Sequence, residues 1–224
     1  MKLIREVPPL YFLDEDPIFP DPLKIEDEEL VAIGGDFSVP RLNEAYRRGI
    51  FPWFIEEDYI YWFSPETRMI INVGEFKLSK SLSKVIRNSG MEVRFNTNFE
   101  AVIRACSAVP RKGEPTPSWI SEEFIEGYLD LHRSGSAISV ETYYEGKLVG
   151  GLYGVIVGRA FCGESMFAKM SNASKVALSS LHDKLEKEDF TMIDCQISSE
   201  HLTTLGGIEI SRQAYIEKLE HALL

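Results

Sequence analysis

Residues 148–167 read LVGGLYGVIVGRAFCGESMF, and one helix later residues 192–196 read MIDCQ. Upstream, residues 137–144 alternate small and apolar positions and end in a YEGK turn. With Gly158-Arg159 as a second turn, three antiparallel strands of a meander are predicted. Glycine weakens a strand interior, so Gly150, Gly151, Gly154 and Gly163 mark bulges, the close approach of a ligand or another backbone, or relief of twist in a curved sheet. Glu164 is the only acidic residue between Glu145 and Asp183. A carboxylate in so apolar a strand must be paired, hydrogen-bonded or put to chemical use, because burying it bare is strongly unfavourable. Asp194 is a second carboxylate of this kind, with Gln196 two residues further on. Strand alternation predicts these two on one face and Cys195 on the other. If the two strands are neighbours, two carboxylates and an amide converge on one cleft.

Working outward from this centre, Thr97 and Glu100 have capping-box spacing and open a helix to about residue 108. The basic, proline-rich loop 110–119 delivers Trp119, and Ser121 caps a helix that Gly135 stops. Asn172 is placed to cap the helix whose apolar stripe is Leu178, Leu181 and Leu185, and Ser211 to cap a closing helix. Near the start, five prolines in the first thirty residues favour extended segments and turns. A helix follows, with Ser38 as N-cap, Pro40 in its first turn and Gly49 as its stop. IFPWF, residues 50–54, reads as an apolar plug in which Trp53 belongs to the core or to a pocket wall. Residues 59–73 read as one or two strands broken at Ser64-Pro65.

The fold class is therefore α+β: a small N-terminal domain, residues 1–66, then a larger domain, residues 67–224, with a central, mainly antiparallel sheet flanked by helices. The element order of the second part resembles the acyl-CoA N-acyltransferase (GNAT-like) fold. In that fold a glycine-rich turn before the central helix cradles the pyrophosphate of CoA. The corresponding turn here, MFAKMSNASK at 166–175, has no glycine. A different acyl carrier is expected.

The chain has 224 residues, 44% of them hydrophobic, and a formal charge of -11. Such acidity argues at first sight against nucleic acid. Its distribution weakens that objection, since eight carboxylates and one lysine between residues 14 and 29 hold -7 of the total. Lys77, Lys80, Lys84 and Arg87, spaced by three, four and three, predict one basic face of a helix, which serves as a solvated surface or a phosphate contact. Three cysteines without CxxC spacing favour a reducing compartment, and no apolar run reaches the length of a membrane span, so a cytoplasmic, membrane-free protein is expected. His132, His182, His201 and His221 are scattered, and neither a metal nor another cofactor is expected. Gly163-Glu164-Ser165 begins like a nucleophile elbow, but Phe167 stands where the closing glycine belongs.

The segments GGDFSVPRLNEAYRRGIFPWF, WFSPETR, FCGESMF, NASKVAL and IDCQISSEHLTTLGG, in this order and spacing, closely resemble the leucyl/phenylalanyl-tRNA–protein transferase family over almost the whole chain from Leu30. The resemblance implies transfer of Leu or Phe, with Met as a further candidate, from aminoacyl-tRNA to the N-terminal Arg or Lys of a protein, marking it for degradation by the N-degron route. It implies that Asp194 and Gln196 stand at the reaction centre and that Glu164 holds the donor's α-amino group. Leu152, Phe161, Leu178 and Leu181 would floor the aminoacyl pocket. Trp53 and Trp119 would contact the 3′ end of the tRNA. The chain departs from the family pattern at Phe63, where a second Trp is common, and at Ser199, where an Asn is. A small-thioester N-acyltransferase and a non-catalytic binder of aminoacyl-tRNA or N-terminal peptides are the alternatives.

Overall fold

The computed structural model describes residues 10–25, 29–109 and 120–224. The loop 110–119, with Trp119, lies outside the described residues. The alternating segments form strands in two sheets. The smaller sheet joins β1 (Phe12–Leu13), β2 (Leu30–Gly34), β3 (Phe51–Glu56) and β4 (Tyr59–Phe63) in the order β1-β2-β4-β3. IFPWF is thus mostly an edge strand rather than a plug, and the break at Ser64-Pro65 ends β4 before β5 (Thr67–Asn72) begins. The larger sheet adds β6 (Glu92–Phe95), β7 (Ala137–Tyr144), β8 (Lys147–Val157), β9 (Ala160–Ala168), β10 (Met192–Gln196) and β11 (Ile208–Ser211) in the order β11-β5-β10-β9-β8-β7-β6. Its ladders are antiparallel except β9 with β10, which run parallel. This is the predicted meander, extended on one side by β10, β5 and β11.

Among the described residues seven α-helices accompany the sheets: α1 (Val39–Arg47), α2 (Lys80–Asn88), α3 (Phe99–Ser107), α4 (Glu122–Arg133), α5 (Ala173–Lys187), α6 (Glu200–Thr204) and α7 (Arg212–Ala222). Ser121 and Ser211 cap α4 and α7 with their side chains, as their positions predict. Four starts differ from expectation, the first being α1, where Ser38 stands at the N-cap but makes no side-chain cap. Asn98, not Thr97, caps α3, because Thr97 gives its backbone and hydroxyl donors to Glu141. Asn172 precedes α5 in the left-handed region and makes no side-chain cap. The helix carrying the basic residues begins at Lys80 behind its cap Ser79, so Lys77 sits in the lead-in, its amide bonded to the Leu205 carbonyl.

Helices cover both faces of the larger sheet. On one face, α5 buries Leu178, Leu181 and Leu185 with Leu152, Phe161 and Ile193. Each such side chain contributes roughly 1.5–3 kcal/mol by leaving water. On the other, α1, α3, α4 and α7 pack on Tyr153, Val155, Cys162 and Met192, and this core continues into the smaller sheet through Trp62, Phe19 and Phe37. Gly150 permits the approach of α5, since a Cβ there would lie 2.5 Å from that of Ala173.

Candidate functional site

Both central strands lose their regular pleat at the same level. The β8–β9 register shifts between Tyr153 and Gly154, leaving Glu164 as the extra residue. The β10–β5 register shifts between Asp194 and Gln196, and Gln196 has a φ of +61°. The parallel ladder ends at Asp194 opposite Cys162, and beyond it β9 continues without β10 beside it. Bulges re-aim side chains and end pairing. Here two adjacent bulges part the strands, and a cavity of about 410 Å³ opens at the parting.

The expected alternation holds along β10, where Ile193 and Cys195 share the side of the α5 cluster and Asp194 and Gln196 reach partners on the other. Cys195 lines the cavity, whereas Asp194 is 0% exposed and committed to the opposite side. Asp194 Oδ1 accepts from Arg68 Nε at 2.9 Å and from the Gln196 backbone N at 2.8 Å; Oδ2 accepts from Arg68 Nη2 at 2.7 Å and from the Tyr215 hydroxyl at 2.8 Å. Arg68 lies between the rings of Phe51 and Tyr215, 4.8 and 4.4 Å from their centroids, and donates Nη1 to the Gly49 carbonyl. Burial works against its charge, but Asp194 beside it more than compensates, and the guanidinium is held above its ordinary pKa. With four donors on two oxygens, Asp194 anchors the bulge and the backbone of Gln196.

Glu164, 9% exposed, lines the cavity. Gln196 donates Nε2 to its Oε1 at 2.7 Å, and Tyr128 donates its hydroxyl to Oε2 at 3.2 Å. Burial pushes the carboxyl up to about 7; hydrogen bonds from Tyr46 and Tyr128 oppose this, Asp194 adds to it and Gln196 opposes it. Because a carboxylate only accepts, Nε2 of Gln196 must face it, which leaves the amide Oε1 free to accept a hydrogen bond from an incoming amine.

The cavity wall is mostly apolar. Leu152, Phe161 and Leu178 line it as expected, joined by Ile193, Met166, Cys195 and Leu202, while Leu181 is wholly buried in the same cluster without reaching the cavity. Ser199 and His201 edge it from α6, and Ser199 accepts from the Leu202 amide as the N-cap of that helix. An amide at 199 would cap the same way, so the departure at this position leaves the turn intact. His201 is held below its ordinary pKa by burial and by Lys175.

Lys77 lines a second groove of about 150 Å³ with Lys175, Ser79, Ser81 and Thr204. Lys77, Lys80, Lys84 and Arg87 are exposed, and among the described residues none has a carboxylate within ion-pair distance. Trp53 is half-buried, edge-on to Phe63 at 5.0 Å and next to Phe51, the ring that touches Arg68. Arg68, Tyr215, Tyr128 and Tyr46 were not anticipated. An arginine inside the apolar strand TRMIIN was the one available signal, because it needed a buried counter-charge.

Among the described residues no group of three or more His, Cys, Asp or Glu side chains is placed to hold a metal ion, and no helix is long and apolar enough to cross a membrane.

Comparison with known proteins adds the following. Residues 70–220 match the family model of leucyl/phenylalanyl-tRNA protein transferase, and residues 35–66 match that of its N-terminal domain. A leucyl/phenylalanyl-tRNA–protein transferase of Solidesulfovibrio magneticus is 45% identical over 214 residues, covering 96% of this chain and 86% of the relative. One of Flavobacterium johnsoniae is 44% identical over 211 residues, covering 94% and 99%. Among solved structures, FemX superposes with a TM-score of 0.51 at 11% identity, covering 81% of this chain and 71% of that one. The last likeness concerns the fold alone, here a mainly antiparallel sheet between helices preceded by a smaller sheet.

Proposed function

The chain belongs to the leucyl/phenylalanyl-tRNA protein transferase family, and from that premise we propose that its cleft moves Leu or Phe, and also Met, from aminoacyl-tRNA to the N-terminal Arg or Lys of acceptor proteins. The product is a peptide bond and an N-terminus that marks the protein for degradation. The observation that carries this reading is an apolar cavity of about 410 Å³ with a buried carboxylate and an amide side by side at the parted strands.

The reaction is aminolysis of an ester. A neutral amine attacks the carbonyl carbon, an oxyanion develops, and the bond to the ribose oxygen breaks with that oxygen gaining a proton. Glu164 holds the donor's α-amino group at the cavity wall. Gln196, with Nε2 fixed by Glu164, presents Oε1 to the acceptor amine and so orients its lone pair toward the carbonyl. An amide is too weakly basic to keep the proton, and orientation is its contribution. Asp194 acts from behind through the Gln196 backbone. The apolar wall accepts Leu, Phe and Met side chains, none of them branched at Cβ, rejects charged ones through desolvation and β-branched ones by shape.

The donor side is tested by supplying tRNA charged with Leu, Phe, Met, Val or Asp to one Arg-initiated peptide. Leu, Phe and Met should be transferred, Val about 10-fold or more slowly, and Asp not at all. Comparable rates for Val and Asp would remove the cavity from the account. Saturable turnover of a CoA thioester would favour the small-donor alternative.

Trp53 and Trp119 are assigned to stacking on the 3′ end of the tRNA, an interaction of roughly 1–3 kcal/mol per base. Lys77, Lys80, Lys84 and Arg87 are assigned to its backbone. Replacing these four by Ala should weaken tRNA binding and reduce the slope of log K against log salt by about 0.7–0.9 for each phosphate no longer neutralised. An unchanged slope would return them to solvated surface. A reaction that draws on charged tRNA places the enzyme in the cytoplasm.

A further inference from the structure

Behind Glu164 lie two tyrosines that are not among the residues lining its cavity. Tyr46 comes from α1 and Tyr128 from α4, 82 residues apart, and they are 1% and 0% exposed. Their hydroxyls are hydrogen-bonded to each other, and that of Tyr128 continues to Glu164 Oε2. Ring packing alone already holds Tyr128, which is stacked on Phe124 at 4.2 Å and edge-on to Tyr153 at 5.9 Å. The hydroxyls therefore have a purpose that Phe in both places would not serve, since burying them is unfavourable without partners.

That purpose follows from counting protons. Each hydroxyl has one hydrogen to give, and an ionised carboxylate gives none. With Glu164 charged, the chain has a single direction: Tyr46 donates to Tyr128, Tyr128 to Oε2, and Gln196 to Oε1. Hydrogen bonds in such a chain strengthen one another, so the Tyr46 hydroxyl, besides acting on Glu164 itself, alters the bond that Tyr128 makes to it. Resting on the transfer reaction proposed above, we infer that Tyr46 is a positioning residue: through Tyr128 it fixes one edge of Glu164 as a hydrogen-bond acceptor, so that the other edge and Gln196 meet the substrates in one geometry.

Two thiols lie near Glu164, that of Cys162 on β9, which feels its charge, and that of Cys195 on β10, which lines the same cavity. Tyr46 and Tyr128 face the carboxyl from α1 and α4, and Asp194 and Gln196 act on it from β10. Arg68 on β5 neutralises Asp194, and His201 on α6 lines the same cavity. Tyr46 and Tyr128 are both held well above the ordinary tyrosine range, by burial first and by the Glu164 charge second, so they remain donors throughout the working pH range.

The test uses Tyr46→Phe, Tyr128→Phe and the double variant, with two readouts. The first is the 13C carboxyl titration of Glu164, assigned by Glu164→Gln, which needs no turnover. Its midpoint should rise in Tyr46→Phe and in Tyr128→Phe, and in the double variant by less than the sum of the two, because the two hydroxyls are coupled to each other. The second is kcat/KM for Phe transfer against pH, whose rising limb should move by the same amount, giving a several-fold loss below pH 7 with the thermal midpoint little changed. No displacement in Tyr46→Phe, or additive displacements, would overturn the proposal. If the rate profile moved while the titration stayed, the route through Tyr128 would be wrong. A displaced titration with an unmoved rate profile would instead remove Glu164, and Tyr46 with it, from the transfer reaction. Should Tyr46→Phe fail to fold, 3,5-difluorotyrosine at position 46 keeps the ring and strengthens the donor, and the midpoint should then fall; a rise or no change would overturn the proposal.

Discussion

Asp194→Ala lowers folding stability by about 3–5 kcal/mol and abolishes transfer, because it leaves the Arg68 guanidinium buried without its counter-charge. The pair is almost completely excluded from solvent, at 1% and 0% side-chain exposure, and carries two direct hydrogen bonds. The same change removes the acceptor of the Tyr215 hydroxyl and of the Gln196 amide. Loss of activity in Asp194→Ala alone would not separate support of the fold from support of the site. Arg68→Met combined with Asp194→Leu does. Buried pairs can be replaced by apolar residues of similar volume with little penalty, so the double variant should recover part of the stability. It should recover none of the activity, since nothing then holds Gln196 at the bulge. Urea denaturation and a transfer assay on the three variants check this, and a double variant that transfers would show that Asp194 serves stability alone.

Glu164→Gln reduces kcat/KM by about 10–100-fold, the equivalent of one charge-assisted hydrogen bond to the donor's α-amine, and removes the pH dependence that this carboxyl gives the rate. In the unsubstituted enzyme Glu164 ionises near 7, so transfer should rise with pH through that value. Stability moves the other way. The unfolded carboxyl releases its proton near 4.5 and the folded one near 7, so between these values only the folded state keeps the proton. Folding stability therefore falls as pH rises across that window, by about 3 kcal/mol in all, and Glu164→Gln should abolish the slope. Denaturation at roughly pH 5 and roughly pH 8 measures it. An unchanged slope in Glu164→Gln would assign the pH dependence to another group.

The chemistry of the site was legible wherever a polar residue interrupted an apolar strand. Glu164 and Asp194 stood out for that reason, and both proved to be buried and hydrogen-bonded. The meander and the Ser121 and Ser211 caps were legible because they depend on local spacing. Alternation placed Cys195 opposite Asp194 correctly, but no spacing announces the bulge that shifts the β10 register between Asp194 and Gln196. It failed to enlist Arg68 and Tyr46 because their partners lie 126 and 82 residues away, and no local pattern encodes such pairings. The helix face drawn through Lys77 was too long by one turn: Ser79 caps the backbone first, and Leu205 takes the Lys77 amide into a loop contact. Thr97 has capping-box spacing, yet Glu141 across the sheet offered its donors a stronger, charged acceptor.

The central claim is that this cleft joins an aminoacyl group from tRNA to a basic N-terminus. The most direct measurement is transfer of labelled Phe from charged tRNA to peptides that differ only in their first residue: Arg, Lys, Asp, Glu or Ala. Transfer to the Arg and Lys peptides alone is the predicted result and would show that Ser199 is compatible with a basic acceptor. Transfer to none of the five, with Phe-tRNA still bound, would contradict the account and leave a binding protein in its place.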